Sequence, residues 1–304
     1  MTIIYGYTFL TVKDLMDDGV TVFSLVGIRF AIGAAAVCAA KKIMGFFARA
    51  NPSVKKTRVS VAEIKVGAGL GAVIFLGFAA QTMGAIYTTP AKSGLLTGLY
   101  VVFVPIVVMI SRGRFSFKSI FAAVLGFFGI TLISGLFGKE ASLNIGDALT
   151  IFSAAAYAAD FIILEKYAPS LDSFNFTAVR LFVVSALGFA CSAAFERNAY
   201  ALILLNADKY ILDVLFLGLF ASGAAYLAQT FAQKRLSANM ASLIMCMESV
   251  FAALFSVIFG YDRVTWRLAL GGAIIVAAML ISSAGSQSGE SVTEENFIKE
   301  IYKS

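Results

Sequence analysis

Long apolar runs broken by short clusters of charge organise this sequence from end to end. The runs cover residues 1–12, 20–40, 66–86, 90–110, 118–136, 147–166, 174–195, 210–232, 238–259 and 265–283, ten in all. Most approach the ~20 residues that a helix needs to cross a hydrocarbon core of about 30 Å. A membrane β-barrel would instead alternate apolar and polar positions in segments of about ten residues, and that alternation is missing. The pattern predicts an all-α polytopic membrane protein of about ten transmembrane helices. The first run is the exception, because a twelve-residue helix from Met1 to Val12 rises only about 18 Å. Either this helix begins within the bilayer or the native chain starts upstream of Met1, and the second is the expectation.

Composition agrees with the pattern and removes whole classes of chemistry. Of 304 residues 60% are hydrophobic and 14% charged, where soluble domains hold about 25% charged residues. Histidine is absent, and Cys38, Cys191 and Cys246 stand singly inside apolar runs. Zinc sites of the Cys/His type, haem ligation by histidine, Ser-His-Asp hydrolysis and a disulfide framework are therefore excluded. The cysteines read as small buried apolar residues. No cofactor or metal is expected, and the chain does not read as an enzyme. The first residues show neither a basic region nor a small-residue cleavage site, so no cleavable signal peptide is visible.

The net charge of +6 reads as membrane orientation rather than nucleic-acid binding, because of where the charges fall. With the N-terminus cytoplasmic, 15 Lys and Arg lie in inside segments, led by the 41–65 loop, and 7 lie outside. This bias places both termini in the cytoplasm of a cell with the protein in its inner or plasma membrane. Residues 285–304 read as a polar cytoplasmic tail.

An internal repeat emerges when spans three to five are laid on spans eight to ten at an offset of 148. Ala80-Gln81-Thr82 then meets Ala228-Gln229-Thr230, Val102-Phe103 meets Val250-Phe251, and Leu132-Ile133-Ser134 meets Leu280-Ile281-Ser282. Arg29 pairs with Arg180 at an offset of 151. Five spans per half is an odd number, so the second half would enter the membrane from the opposite side. Inverted repeats of this kind mark secondary transporters with a site near the midplane. The expected units are residues 1–136, with a truncated first helix, and residues 147–284.

Several segments resemble a known family. Tyr5-Gly6-Tyr7-Thr8-Phe9 and Ile28-Arg29-Phe30 are similar to its Trp-Gly-Ser-Thr-Phe and Leu-Arg-Phe elements. Tyr87-Thr88-Thr89-Pro90-Ala91-Lys92-Ser93 and Tyr100-Val101-Val102-Phe103-Val104-Pro105 look like its fourth helix. Leu217-Gly218 with Ala225-Tyr226, Met247-Glu248-Ser249-Val250 and Gly271-Gly272-Ala273 look like its spans eight to ten. The chain thus resembles the EamA-like transporters of the drug/metabolite transporter superfamily. It departs from them at Ser249, where a proline is common, and at Asp262, where a glutamate is common. The resemblance implies two five-helix repeats and export or exchange of a small metabolite such as an amino acid or related compound.

Ionisable side chains within a span are costly and mark function by default. Four are present: Arg29, Asp160, Arg180 and Glu248. Asp160 and Arg180 stand at equal depth across the turn at Pro169-Ser170-Leu171-Asp172, so they either pair or leave Asp160 facing a cavity. Arg29 is expected against backbone carbonyls or lipid headgroups. Glu248 has no basic residue at its depth on a neighbouring span and is a candidate for cation, zwitterion or proton binding, the alternative being a packing hydrogen bond. Polar stripes run along span four (Thr89, Ser93, Thr97, Tyr100), span six (Ser153, Tyr157, Asp160) and span eight (Tyr226, Gln229, Gln233). Such stripes either glue helices together or line a solute pocket. The candidate substrate-binding residues are Gln81, Thr97, Tyr100, Tyr157, Asp160, Tyr226, Gln229 and Glu248. Gly67, Gly69, Gly71 and the Gly94 to Gly98 pair read as helix-packing positions, not as a nucleotide loop. Pro105 is expected to kink span four.

The reading is a carrier working by alternating access around a site lined by spans one, three, four, six, eight and nine. Its partners are a small-molecule substrate, the lipid bilayer and, as candidate coupling ions, protons. No nucleic acid is expected. A channel or a non-transport membrane protein is the alternative.

Overall fold

The computed structural model describes residues 1–47, 59–112, 117–133, 144–196, 200, 203, 206–278 and 280–281. All regular structure among them is helical. The order is α1 (Thr2–Asp17), α2 (Val22–Phe47), α3 (Val61–Ala85), α4 (Pro90–Thr97), α5 (Tyr100–Arg112), α6 (Phe117–Ile133), α7 (Ile145–Tyr167) and α8 (Ser173–Phe195). Then come α9 (Ala207–Leu215), a π-helical segment (Phe216–Ala224), α10 (Ala225–Ala232), α11 (Ala238–Ile258) and α12 (Trp266–Ala278). Among the described residues seven helical stretches are long and apolar enough to cross a membrane, with α4 plus α5 forming one and α9 through α10 another. The proposed tail, residues 285–304, and most of the basic loop after α2 lie outside the described residues.

Local chemistry sets the helix ends. Ser60 and Glu63 form a reciprocal capping box at the start of α3, and Asn144 and Asp147 form one at the start of α7. Thr89 caps α4 with Pro90 at its first helical position, while Asp172 and Ser237 cap α8 and α11. Each cap satisfies amide donors that a helix start otherwise leaves unpaired. Helix α1 ends at Gly19, whose φ of 89° only glycine adopts without strain. There Val20 N–H donates to Leu15 O at 2.9 Å and Gly19 N–H to Met16 O at 3.1 Å, which closes the last turn.

Three features differ from the sequence expectation. Helix α1 continues past Val12 to Asp17, because Lys13 and Asp17 pair at 2.8 Å on its outer side while Leu15 and Met16 stay buried. Charge ended the apolar run, but Gly19 ends the helix. The interruption in span four lies at Gly98-Leu99 rather than at Pro105, which sits inside α5. Around Gly98 the bonds shorten to i,i+3 spacing, with Leu99 N–H on Leu96 O at 3.2 Å and Val101 N–H on Gly98 O at 3.1 Å. Finally, the π-helical Phe216–Ala224 segment re-aims the residues that follow it, a device common at functional sites.

Contacts at helix ends give the relative directions. The Glu196 carboxylate at the end of α8 accepts from Phe23 N–H at 2.7 Å and Ser24 N–H at 2.9 Å at the start of α2. Lys41, far along α2, pairs with Asp172 at the start of α8 at 3.4 Å. Helices α2 and α8 are therefore antiparallel. Their axes come close because both carry glycine at the crossing: a methyl group added at Gly188 would stand 2.7 Å from the backbone nitrogen of Gly27. Gly67 and Gly71 lie against Val179, Arg180 and Val183 of α8, and Gly94 lies against Ala252 of α11. These glycines pack helices, as small residues do where lipid offers no hydrophobic drive between spans.

Polar ties gather at the two ends of the bundle. At one end Tyr261 donates to Asp14, Lys92 pairs with the buried Asp147 at 2.6 Å, and Lys209 pairs with Asp18 at 2.7 Å. At the other end Glu63 accepts from Asp172 N–H at 3.0 Å and from the Asn175 side chain, beside Lys41. The Tyr261 end and the Lys41 end are separated by the length of α2, whose twenty residues from Val22 to Lys41 span about 30 Å.

Candidate solute site

Midway between those ends the polar stripes meet. A cavity is bounded by α1, α3, α5, α7, α10 and α11. Seven of the eight sequence candidates line it: Gln81, Tyr100, Tyr157, Asp160, Tyr226, Gln229 and Glu248. The eighth, Thr97, is fully buried behind the wall and accepts a hydrogen bond from Gln81 Nε2 at 3.0 Å. Gln81 in turn accepts from the Tyr157 hydroxyl at 3.0 Å. Thr97 thus positions Gln81, and Gln81 positions Tyr157.

The other stripe residues fall outside this cavity. Ser153 donates back to Thr150 O within its own helix, and Thr89 is the cap of α4. Gln233 donates to Phe161 O at 2.9 Å and accepts from Gln229 at 3.2 Å. It ties α10 to α7 below the cavity, toward the Lys41 end.

The charged groups have distinct surroundings. Asp160 and Arg180 are hydrogen-bonded, with both carboxylate oxygens on Nη2. Gln229 Nε2 also donates to Asp160 at 3.3 Å. Asp160 therefore does both things the sequence left open: it pairs with arginine and faces the cavity. Glu248 is 7% exposed and, among the described residues, has no ion-pair partner. The Tyr100 hydroxyl stands next to it without meeting hydrogen-bond geometry. Arg29, expected against carbonyls or headgroups, is instead 2% exposed, with Nε on Ser222 Oγ at 3.1 Å and its guanidinium 4.9 Å from the Phe78 ring. Burial in the bundle overrides the pull toward a headgroup because two aromatic faces attract the guanidinium there.

A second, smaller void adjoins the first, sharing Thr8, Phe9 and Gln81 with it. It extends past Arg29, Thr88 and Ser93 to Lys13, toward the Tyr261 end. Together the two voids form a passage from mid-bundle to one end.

Comparison with known proteins was made on this geometry. The profile of the EamA-like transporter family matches residues 144–284. A protein of Archaeoglobus fulgidus described as an uncharacterized transporter is 28% identical over 289 residues, covering 93% of this chain and 83% of that one. Residues 144–284 of the chain are thus similar to EamA-like transporters. The EamA resemblance read from its sequence, within the drug/metabolite transporter superfamily, is borne out by both findings. A solved crystal structure of a protein has the same fold at a TM-score of 0.62 and 19% identity, covering 92% of this chain and 96% of that one. With that similarity and its long apolar helices, the chain is an integral membrane protein of the helical class.

The sequence reading missed part of the cavity wall of this EamA-like protein: Tyr5, Thr8, Phe9, Phe78, Phe161 and Met245. Two signals pointed to them. Phe78 stands 148 residues before Tyr226, so the repeat that linked Gln81 to Gln229 also links these two rings. Tyr5 and Thr8 are one helical turn apart in a segment already noted for its resemblance, and Thr8 donates to Tyr5 O at 2.7 Å.

Proposed function

We propose that this EamA-like protein is a secondary carrier that moves a small metabolite, such as an amino acid or related compound, by alternating access around the Glu248 cavity. One observation carries the reading: a polar and aromatic cavity assembled from both halves of the chain that contains a carboxyl group without a cationic partner. Rings at Tyr100, Tyr157 and Tyr226 offer flat faces and hydroxyls, while Gln81, Gln229 and Glu248 offer amide and carboxyl groups for orientation. A buried carboxyl is costly in a membrane unless it serves a ligand or a proton. Protons are the candidate coupling ion.

The ten-span inverted repeat, with units 1–136 and 147–284, belongs to the same proposal. Three observations support it. Arg29 lies over Phe78 at 4.9 Å and Arg180 over Tyr226 at 4.7 Å, and both pairs are related by the repeat offsets. Helices α2 and α8, which carry those arginines, run antiparallel. Glu196 caps α2 across the bundle, and Glu63 reaches the start of α8 in the same manner. With both termini cytoplasmic, the Tyr261 end faces outward. The void past Lys13 is then an outward vestibule, and the Gln233 to Phe161 tie closes the inner side. The protein is an exporter or exchanger of the cell membrane in this account.

Counterflow in proteoliposomes tests the proposal. A metabolite that stabilises the purified protein is loaded inside, and labelled metabolite is supplied outside. A carrier gives a saturable, transient accumulation that Glu248→Gln slows or makes insensitive to pH. A channel, the alternative reading, gives linear equilibration without overshoot. Unchanged rate and pH profile in Glu248→Gln sinks the role given to that carboxyl.

A further inference from the structure

Two arginines occupy equivalent places in the two halves of the sequence, and only one has a counter-ion. Arg180 is bonded to Asp160. Arg29, 2% exposed two turns into α2, has no carboxylate against it among the described residues. Its Nε donates to Ser222, and the Phe30 and Phe78 rings lie 5.3 and 4.9 Å from the guanidinium carbon. No hydrogen bond among the described residues uses its Nη groups. These contacts hold the side chain in place without neutralising it.

The second void passes directly by this side chain. Thr8, Thr88 and Ser93 bring hydroxyls to the same void, and the Ser93 hydroxyl has no hydrogen-bond partner. Lys13 stands at the outer mouth, where Asp17 and Ile86 O hold its ammonium. An unpaired charge at this depth costs several kcal/mol unless something neutralises it. A guanidinium with free Nη groups is shaped for an oxyanion, which it binds through two parallel hydrogen bonds.

We propose that Arg29, in the void it shares with Thr8 and Ser93, is the binding point for an oxyanion carried by the transported solute, a carboxylate or a phosphate, and thereby sets the preference for anionic over neutral solutes. The proposal rests on the carrier reading only for the word transported; the anion site is a property of the folded protein. Because the void joins the Glu248 cavity through Gln81, Thr8 and Phe9, the remainder of the solute extends toward Glu248 and the tyrosines.

The test is a thermal-stability titration of the purified, detergent-solubilised protein with matched probes: acetate, malonate, glycine, inorganic phosphate and glycerol phosphate, set against acetamide and malonamide. At least one anion is expected to raise the unfolding temperature of the wild type in a saturable way, with its amide counterpart ineffective. Carboxylate and phosphate probes separate the two sources of oxyanion. Arg29→Gln is expected to weaken that response at least tenfold and Arg29→Lys to keep part of it. Failure of every anion on the wild type overturns the proposal, as does an equal response to an anion and its amide. An undiminished response in Arg29→Gln overturns it as well. The wild-type comparison does not depend on the folding of any variant. Counterflow with the stabilising anion then separates the two ideas, since binding without counterflow overturns the carrier reading and leaves the anion site standing.

Discussion

The Asp160 to Arg180 pair makes a quantitative demand. Both Asp160 oxygens bond to Nη2 of Arg180, whereas Nε and Nη1 of that guanidinium have no hydrogen-bond partner. Asp160→Asn keeps the shape and an oxygen for Gln229 but removes the charge. Arg180 then keeps the Tyr226 ring at 4.7 Å and a neutral amide oxygen, but no counter-charge. Orphaning one member of a buried pair costs about 3–5 kcal/mol. At roughly 2 °C per kcal/mol for a chain of this size, the unfolding temperature should fall by roughly 6–10 °C. Arg180→Met should cost less, because the carboxyl left behind keeps the hydrogen bond from Gln229. The double variant Asp160→Asn with Arg180→Met removes the stranded cation and should be more stable than Asp160→Asn alone, with a coupling of about 2 kcal/mol or more. Thermal unfolding of the four proteins in one detergent measures the cycle. Strict additivity of the two single changes would refute the claim that the pair acts as a unit.

Other consequences are simpler. Gly188→Ala places a methyl group 2.7 Å from Gly27 N, and overpacking of this kind costs about 1–3 kcal/mol; Gly69→Ala, which meets nothing within 4 Å, should be neutral or slightly stabilising, and equal unfolding temperatures for the two would contradict the packing argument. Partial desolvation of its hydroxyl, followed by the hydrogen bond to Asp14, holds the Tyr261 phenol above the usual tyrosine range. Its neutral form therefore stabilises the fold fully below the ordinary tyrosine pKa, and that contribution fades as pH rises through the elevated one. One tyrosine step above the usual range in an ultraviolet titration of the wild type should be missing from Tyr261→Phe, and an identical titration in the two proteins would remove this contact from the account.

Periodicity and composition made most of the architecture legible before any coordinates, because a helix in lipid must satisfy its own backbone and so writes a long apolar run. What the runs could not show was where helices end. Gly19 terminates α1 six residues after the charges begin, and the capping box at Ser60 starts α3 before its apolar run does. The break in span four escaped for a related reason: Pro105 looks disruptive in sequence, but it lies within α5, and the break between helices falls at Gly98, where the turn tightens. Hydropathy is blind to the π-helical segment, which changes hydrogen bonding without changing composition.

For the cavity, spacing and repeat together located the polar residues, since a hydroxyl, amide or carboxyl in a span has few alternatives to a partner or a cavity. Aromatic wall residues were harder to find. In a chain with 28 phenylalanines, Phe78 and Phe161 look like lipid-facing or core residues until neighbouring helices show which side they present. Arg29 was misplaced because a single span does not disclose the Phe30 and Phe78 faces or the Ser222 hydroxyl that hold it inside the bundle.

The opposed insertion of the two halves can be measured without knowing the solute. Cys38, Cys191 and Cys246 are replaced by serine or alanine, and single cysteines are introduced at Asp18, between α1 and α2, and at Ser170, between α7 and α8. A membrane-impermeant maleimide is then applied to vesicles of known sidedness. The account predicts that the cysteine at position 18 reacts from the outer face and the one at position 170 only from the cytoplasmic face. Labelling of both from the same face would contradict it.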